Sequence, residues 1–535
     1  MKNLSIIFFA ILSALVVFSC TDLEETLVGD VTNDISVNGV SAGGGSGDGG
    51  PLAGAFGRLR DGSAGHFGYF SMQELPTDEM FIGAKGGDWF DGGILIQLHQ
   101  HSYDPTNGII NNTWNQTYGA IQTSNELLAG GALDANGVAQ ITALRAYFYL
   151  RLLDLFGNVK LITEPGVDAP QVSRSEVYDF VESELLSALG VSSITPGMDL
   201  SSSALGFDVN PYRINVYGAL GIISRLYLNA EEYVGVAMYE EADIASSLII
   251  DSGVYQMCGE GCVVPNLGRR PAIDSDPEML EGYAAVFAPN NENNPEHIFT
   301  IEYDEVTGGG MNFAVMNLHG PSQFSFNFTD QPWNGYATLE EFYNSYDAND
   351  LRREATFLTG PQLDFNGSAI LDFAADDPDI VLDYTPAINE LAPNSQRQAG
   401  ARSKKFSFKI LGRSDMDNDY PILRLGEIYL MRGEARARAN GLDWSLALPD
   451  VNVVRARAGV PPFSSLNADT FLEERGREVY AESLRRTDMI RFGVYNDSYW
   501  EKPVSNESVN IFPIPFEQVQ ASSGGGFPLT QNPGY

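Results

Sequence analysis

The chain has 535 residues, with 32 Lys and Arg against 70 Asp and Glu and a formal charge of −38. That balance argues against DNA, RNA or an anionic membrane surface as the main ligand, since such binding draws its affinity from clustered basic side chains. A hydrophobic fraction of 44% supports a large core, and 55 Gly with 27 Pro imply many turns.

The N-terminus reads as an address. Lys2 precedes an apolar run from Leu4 to Phe18, interrupted only by Ser5 and Ser13. The run is too short to span a bilayer and suits a secretory signal over residues 1–19. It ends in Val17-Phe18-Ser19-Cys20, which resembles a bacterial lipobox. In such signals the Cys thiol is acylated and becomes the new N-terminus, so Cys20 is the expected lipidation site. Several acyl chains anchor a protein stably where one does not. The acidic stretch Thr21 to Glu25 resembles the surface-export signal of Bacteroidetes lipoproteins. Residues 41–50, SAGGGSGDGG, cannot pack, so 20–50 read as an acidic and Gly-rich tether. No later stretch reaches 18 consecutive apolar residues.

Helical periodicity follows in several places. Trp114, Tyr118, Ile121 and Asn125 recur every three or four residues. Phe148, Tyr149, Leu152, Leu153 and Phe156 form a stripe closed by Gly157. Ser173 with Glu176 is a capping-box pattern opening a helix to Leu189. Ile214, Tyr217, Leu220, Ile223 and Tyr227 make a further stripe. Leu425 to Ala439 and Leu472 to Ile490 are helical again. Small residues beside large ones, such as Gly218 by Tyr217 and Gly433 near Leu430, allow close pairing of helices. Trp114 and Trp444 fall on such stripes and read as core. Between about Met257 and Asp419 the chain is rich in Gly, Pro, Asn and Asp, a pattern of long loops and short strands. The prediction is a mainly α protein. A helix-pair scaffold spans about 105–255 and 420–495, a loop-rich part spans about 256–419, and both lie in one domain, 51–535.

Cys258 and Cys262 sit in Cys-Gly-Glu-Gly-Cys, where two thiols can meet. An exported protein permits a disulfide there, against the strain of so small a ring. Zinc would need further ligands. His99 and His101 could share a strand face but lack a third ligand nearby. Asp415, Asp417 and Asp419 alternate like the start of a calcium loop, yet Tyr420 and Gly426 stand where an EF-hand needs Gly and an acid, so an acidic loop is the reading. There is no GxSxG, HExxH, Walker or Rossmann pattern. No catalytic residue, metal or cofactor is assigned. The densest charged run, Glu474 to Arg491, offers helical pairs Glu474/Arg477, Glu482/Arg486 and Asp488/Arg491 and reads as structural.

That run, ERGREVYAESLRRTDMIRFG (474–493), resembles the C-terminal signature of the SusD/RagB family, outer-membrane nutrient-binding lipoproteins of Bacteroidetes. ALRAYFYLRLLDLFGNVKLI (143–162), YPILRLGEIYLMRGEARARANG (420–441), VNVVRARAGVPPF (451–463), FPIPFEQV (512–519) and QNPGY (531–535) resemble further blocks of that family, in the same order. Ser483 departs from the pattern, where Gly commonly follows Glu482. The resemblance implies a scaffold of four tetratricopeptide-like helix pairs with irregular loops as the ligand face. It also implies a non-catalytic lid over a SusC-like TonB-dependent transporter, capturing oligosaccharide at the cell surface, or peptide in some members. A surface glycoside hydrolase is the alternative from another class.

Sugars present apolar C–H faces and many hydroxyls, so a site for them wants exposed aromatic rings with polar neighbours. Trp89 and Phe90, flanked by Asp88 and Asp91 between glycine pairs, fit that need. So does Gln331-Pro332-Trp333-Asn334. Tyr303, Phe313 and Phe324 are weaker candidates.

Overall fold

A computed structural model describes residues 50–535 except 274, 307–309, 376 and 378. The signal segment, Cys20 and nearly all of the tether lie outside the described residues. No helix among the described residues is long and apolar enough to cross a membrane.

The architecture is helical, with short strands. Gly108–Ala129 is capped by the Asn107 side chain, which accepts from the Ile109 N–H. It packs on Ala135–Phe156, the helix that carries most of the aromatic stripe and is buried along nearly its whole length. Arg174–Leu189 follows with the expected capping box, Ser173 and Glu176 each serving the other's backbone N–H. Val216–Leu228 packs on Tyr239–Asp251. The chain then leaves for its loop-rich excursion and returns as Leu425–Ala439, which packs against Tyr239–Asp251 across that gap in sequence. Leu448–Arg457 and Ala468–Val479 complete the array. Consecutive helices thus pair as in tetratricopeptide arrays. The expected small residues act at these contacts: a Cβ on Gly433 would sit 3.3 Å from that of Ala447. Trp114 and Trp444 are both core residues.

Five two-stranded antiparallel sheets occur among the described residues. His297–Ile301 pairs with Tyr420–Arg424 and ties the start of the excursion to its end. Met80–Ile82 pairs with Tyr336–Thr338, which brings residues near 89 and 333 to one place. A small separate core of Leu318, Phe326, Phe328, Leu382, Tyr384 and Phe408 stabilises the loop-rich part.

The helix expected from Leu472 to Ile490 is two helices. Ala468–Val479 stops at Tyr480, and Arg485–Arg491 restarts after a turn in which Ala481 and Ser483 have φ of 58° and 60°. Left-handed backbone favours glycine, which explains why Gly suits position 483. Here Ser483 is held by its N–H on Glu74 Oε1 (2.6 Å) and its hydroxyl against Tyr420 (3.0 Å). The break also re-sorts the ion pairs. Glu474/Arg477 and Asp488/Arg491 form as expected. Glu482 instead binds Arg424 and Lys405, and Arg486 binds Asp154.

These pairs belong to a fully buried network. Arg424 donates to Glu296 (2.7 Å), Glu478 (2.6 Å) and Glu482 (2.7 Å), and Arg352 to Asp350, Glu474 and Glu478. The guanidinium groups of Arg457, Arg424 and Arg352 hold Glu478 well below the usual carboxylate range despite burial.

His99 ends a short helix, Ile94–His99, and is not on a strand. Its ring and that of His101 bond Trp500 O (2.9 Å) and Pro76 O (2.9 Å) respectively, so the two imidazoles serve the fold. Asp417 and Asp419 cap the N–H groups of Glu305 and Tyr303.

Candidate functional site

Two loops meet at an open cleft of about 680 Å³, lined by His66, Asp88, Trp89, Asp91, Gln331, Pro332 and Trp333. The first loop follows the Met80–Ile82 strand. Its backbone is left-handed at Gly86, Trp89, Asp91, Gly92 and Gly93. A run of positive φ values is what the glycine pairs around Trp89 permit, and it turns the indole out of the chain path. The second loop precedes the Tyr336–Thr338 strand. Three backbone bonds fix it: Trp333 N–H to Val315 O (2.6 Å), Asn334 N–H to Leu318 O (2.9 Å) and Gly335 N–H to Met316 O (2.8 Å).

The tryptophans are locked to each other. Trp89 Nε1 donates to Trp333 O at 2.6 Å. Gly335 makes this approach possible, because a Cβ there would lie 2.7 Å from the Trp89 ring. His66 stands edge-on to both indoles, with centroids 5.5 Å from Trp89 and 5.6 Å from Trp333. Burial lowers its pKa, only partly offset by Asp91, so the imidazole is neutral at neutral pH. Asp88 is exposed and pairs with Arg397 at 2.9 Å.

Of the expected site residues, Asp88, Trp89 and Trp333 line this cleft. Trp333 is 39% exposed and Trp89 partly buried. Phe90 and Phe324 are exposed but are not among the residues that line this cleft. Three candidates are corrected. Asn334 is buried: its Oδ1 accepts from Arg402 (3.0 Å) and its Nδ2 donates to Arg397 O (3.2 Å), so it braces the loop from behind. Phe313 is buried against Phe70 and Phe406, and Tyr303 is buried beside the strand His297–Ile301, so neither offers a face to a ligand. Large aromatics in loop-rich sequence still go to the core when a local core exists to receive them. His66 was missed. Its one signal is its place in Gly65-His66-Phe67-Gly68, a short turn between glycines.

Cys258 and Cys262 are joined as a disulfide, and Gly282 N–H bonds Cys262 O (3.0 Å).

A helix-pair scaffold that presents loops is a class of recognition protein, and comparison with known proteins narrows the class. The SusD family pattern matches residues 289–535. The starch-binding protein SusD of Bacteroides thetaiotaomicron is 24% identical, covering 87% of this chain and 85% of its own. SusD-like protein P25 of Formosa agariphila is 22% identical, with 77% of each chain covered. Among solved structures, surface glycan-binding protein A from Bacteroides thetaiotaomicron in complex with laminarihexaose superposes with a TM-score of 0.66 at 21% identity, over 90% of this chain and 98% of that one. A laminarin-binding SusD-like protein gives 0.64 at 22% identity, with the same coverage. The C-terminal part of the chain, residues 289–535, thus carries the SusD family pattern, and the chain has the helical SusD-like fold.

Proposed function

We propose that this chain is a non-catalytic carbohydrate-binding protein. It is held at the outer face of the outer membrane by lipid on Cys20, and it passes captured oligosaccharide to a SusC-like TonB-dependent transporter. The observation that carries the binding role is the pair of tryptophans fixed on one another at the mouth of an open cleft. Rigid indoles supply large contact area at little entropic cost, and their faces match the C–H faces of sugars. Asp88, Asp91, Gln331 and the neutral His66 supply polar edges for hydroxyls. The relatives support the same role, one being named for starch and another solved with laminarihexaose. Lipid on Cys20 and transfer to a transporter rest on the lipobox and the family resemblance.

The test of this role is an array of neutral and anionic polysaccharides and their oligosaccharides, with a peptide library alongside. Saturable binding to a glycan without released product is the expected result. Binding confined to peptides overturns the carbohydrate role, and glycan turnover abolished by substituting one carboxylate overturns the non-catalytic one. For the anchor, Cys20→Ala is expected to free the protein from the membrane fraction or leave it unprocessed. Retention with lipid label contradicts the lipobox reading.

A further inference from the structure

A second cleft, of about 640 Å³, shares no lining residue with the first. It is built from three segments. One is the hairpin Val263–Pro265 with Met279–Glu281, together with Gly259 and Glu260 of the loop that the Cys258–Cys262 disulfide closes. The second is the helix Leu351–Thr356, which contributes Leu351, Glu354 and Ala355. The third is the stretch Lys404 to Phe408, with Phe326 beside Phe408.

Several polar side chains of this cleft lack hydrogen-bond partners among the described residues, in contrast to the paired charges around Arg424. The Lys404 ammonium makes no hydrogen bond or ion pair among the described residues, and burial lowers its pKa. The Ser407 hydroxyl is buried with no hydrogen-bond partner. Lys405 lies next in sequence but is committed to Glu482 and Tyr480 O. Arg270 is committed to Asp276 (3.1 Å). Glu260 and Glu354 line the same space, are exposed to solvent and, among the described residues, have no hydrogen bond, and the Glu354 charge attracts the Lys404 ammonium. A buried ammonium and a buried hydroxyl without hydrogen bonds therefore lie beside two solvated carboxylates and between apolar side chains, among them Met279, 43% exposed, and Leu351, 58% exposed. A buried polar group without a partner is costly unless a ligand or water completes it.

We infer that this cleft is a second saccharide site, taking a neutral sugar unit whose hydroxyls meet Lys404, Ser407, Glu260 and Glu354 while its C–H face lies on Met279 and Leu351. The inference rests on the carbohydrate-binding role proposed above. A polyol both donates and accepts, as this set of groups requires. Against the one uncommitted cation among the described residues of the cleft, Lys404, stand the two carboxylates of Glu260 and Glu354, so the balance of charge disfavours uronic or sulfated sugars. The disulfide fixes the Gly259–Glu260 segment before the ligand arrives, which cuts the ordering cost of binding. Two sites on one chain raise the avidity for a long polysaccharide without any new contact.

The experiment is calorimetric titration with the neutral oligosaccharide that binds tightest on the array. It is run on the wild type, on Trp89→Ala/Trp333→Ala, and on that double variant carrying Lys404→Met or Met279→Asp, with a thermal melt of each. The expected result is two binding events in the wild type and one in the double variant. That residual event weakens at least tenfold with either added substitution and severalfold on reduction of the disulfide, with folding retained. A single event in the wild type that vanishes in the double variant overturns the second site and leaves the first intact. A residual event unchanged by both Lys404→Met and Met279→Asp also overturns it. An array with no bound glycan, or only anionic ones, is a different failure: the former removes the carbohydrate role itself, the latter the neutral specificity.

Discussion

The buried arginine network and the tryptophan cleft solve opposite problems. Around Arg424 every charge is out of water, and each guanidinium arm has a carboxylate partner. Around Trp89 two large apolar rings are left in reach of solvent, tied down by three backbone bonds of the second loop and by the Trp89 indole N–H on Trp333 O. The network joins pieces far apart in sequence: Glu296 from the loop-rich part, Arg352 from its middle, Arg424 at its return and Glu478 from the last helical pair. The lesson is a division of labour. Paired charge fixes where the long excursion leaves and re-enters the scaffold, and apolar area is left in reach of solvent where the ligand platform is proposed.

The comparison breaks most visibly at Arg424. Arg424→Met leaves Glu296 and Glu478 to Arg457 and Arg352 and Glu482 to Lys405, with excess negative charge in the interior, and removing one partner of a buried network costs on the order of 3–5 kcal/mol. Urea unfolding is expected to show that loss. A change below about 1 kcal/mol, the range of an exposed pair, would mean the network does not hold the excursion in place.

A second effect arises where the two regions touch. Glu74 and Glu79 hold the Tyr480–Leu484 turn through the N–H groups of Ser483 and Ala481. Burial pushes Glu74 up to about 7, against the pull of a hydrogen bond with the Glu79 carboxyl, and it pushes Glu79 well above its ordinary value, with the Glu74 charge adding to that rise. The folded protein therefore keeps protons that the unfolded chain has already released above its ordinary value of 4.5. Stability from this pair is present at low pH and is lost as pH rises from there through about 7. Glu74→Gln removes one of the two ionisations, so its stability relative to wild type is expected to rise by about 1–3 kcal/mol between pH 5 and pH 8. Denaturant melts at the two pH values check this. A difference that shrinks as pH rises contradicts the shared burial of the two carboxyls.

On the ligand side the effects move from folding to affinity. Trp89→Ala and Trp333→Ala are each expected to cost about 1–3 kcal/mol of binding, a tenfold to hundredfold weaker affinity, with melting temperature nearly unchanged. Core truncation would do the reverse, with about 3–5 kcal/mol lost from stability. Trp333→Ala keeps the carbonyl that Trp89 Nε1 binds, so the Trp89 indole should stay in place in that variant. The smallest effect belongs to His66. His66→Ala removes one neutral hydrogen-bonding edge, worth about 0.5–1.5 kcal/mol of affinity. Wild-type binding should vary little between about pH 7.5 and 8.5, where an imidazole held below its ordinary value is uncharged.

Much of the scaffold was legible in the sequence. The stripe ending at Gly157, the Ser173 and Glu176 box and the Leu425 to Ala439 helix are set by local periodicity and caps, which a linear reading captures. The break at Tyr480–Leu484 was not, because the left-handed Ala481 and Ser483 are imposed by Glu79, Glu74 and Tyr420 from elsewhere in the chain. The site was legible in part. Trp89 stands out among glycines, but burial of Tyr303 and Phe313 depends on the neighbours that strand pairing brings, and His66 reaches the indoles only through folding. Asn334 looked like a ligand group because its neighbours are polar; its left-handed backbone turns its side chain inward to Arg402.

The central claim is that the paired indoles are the glycan platform. The most direct measurement is a crystal structure of the protein with the tightest-binding oligosaccharide from the array. The account predicts a sugar ring in van der Waals contact, within about 4 Å, of both Trp89 and Trp333. A ligand seated with neither indole in contact would contradict it.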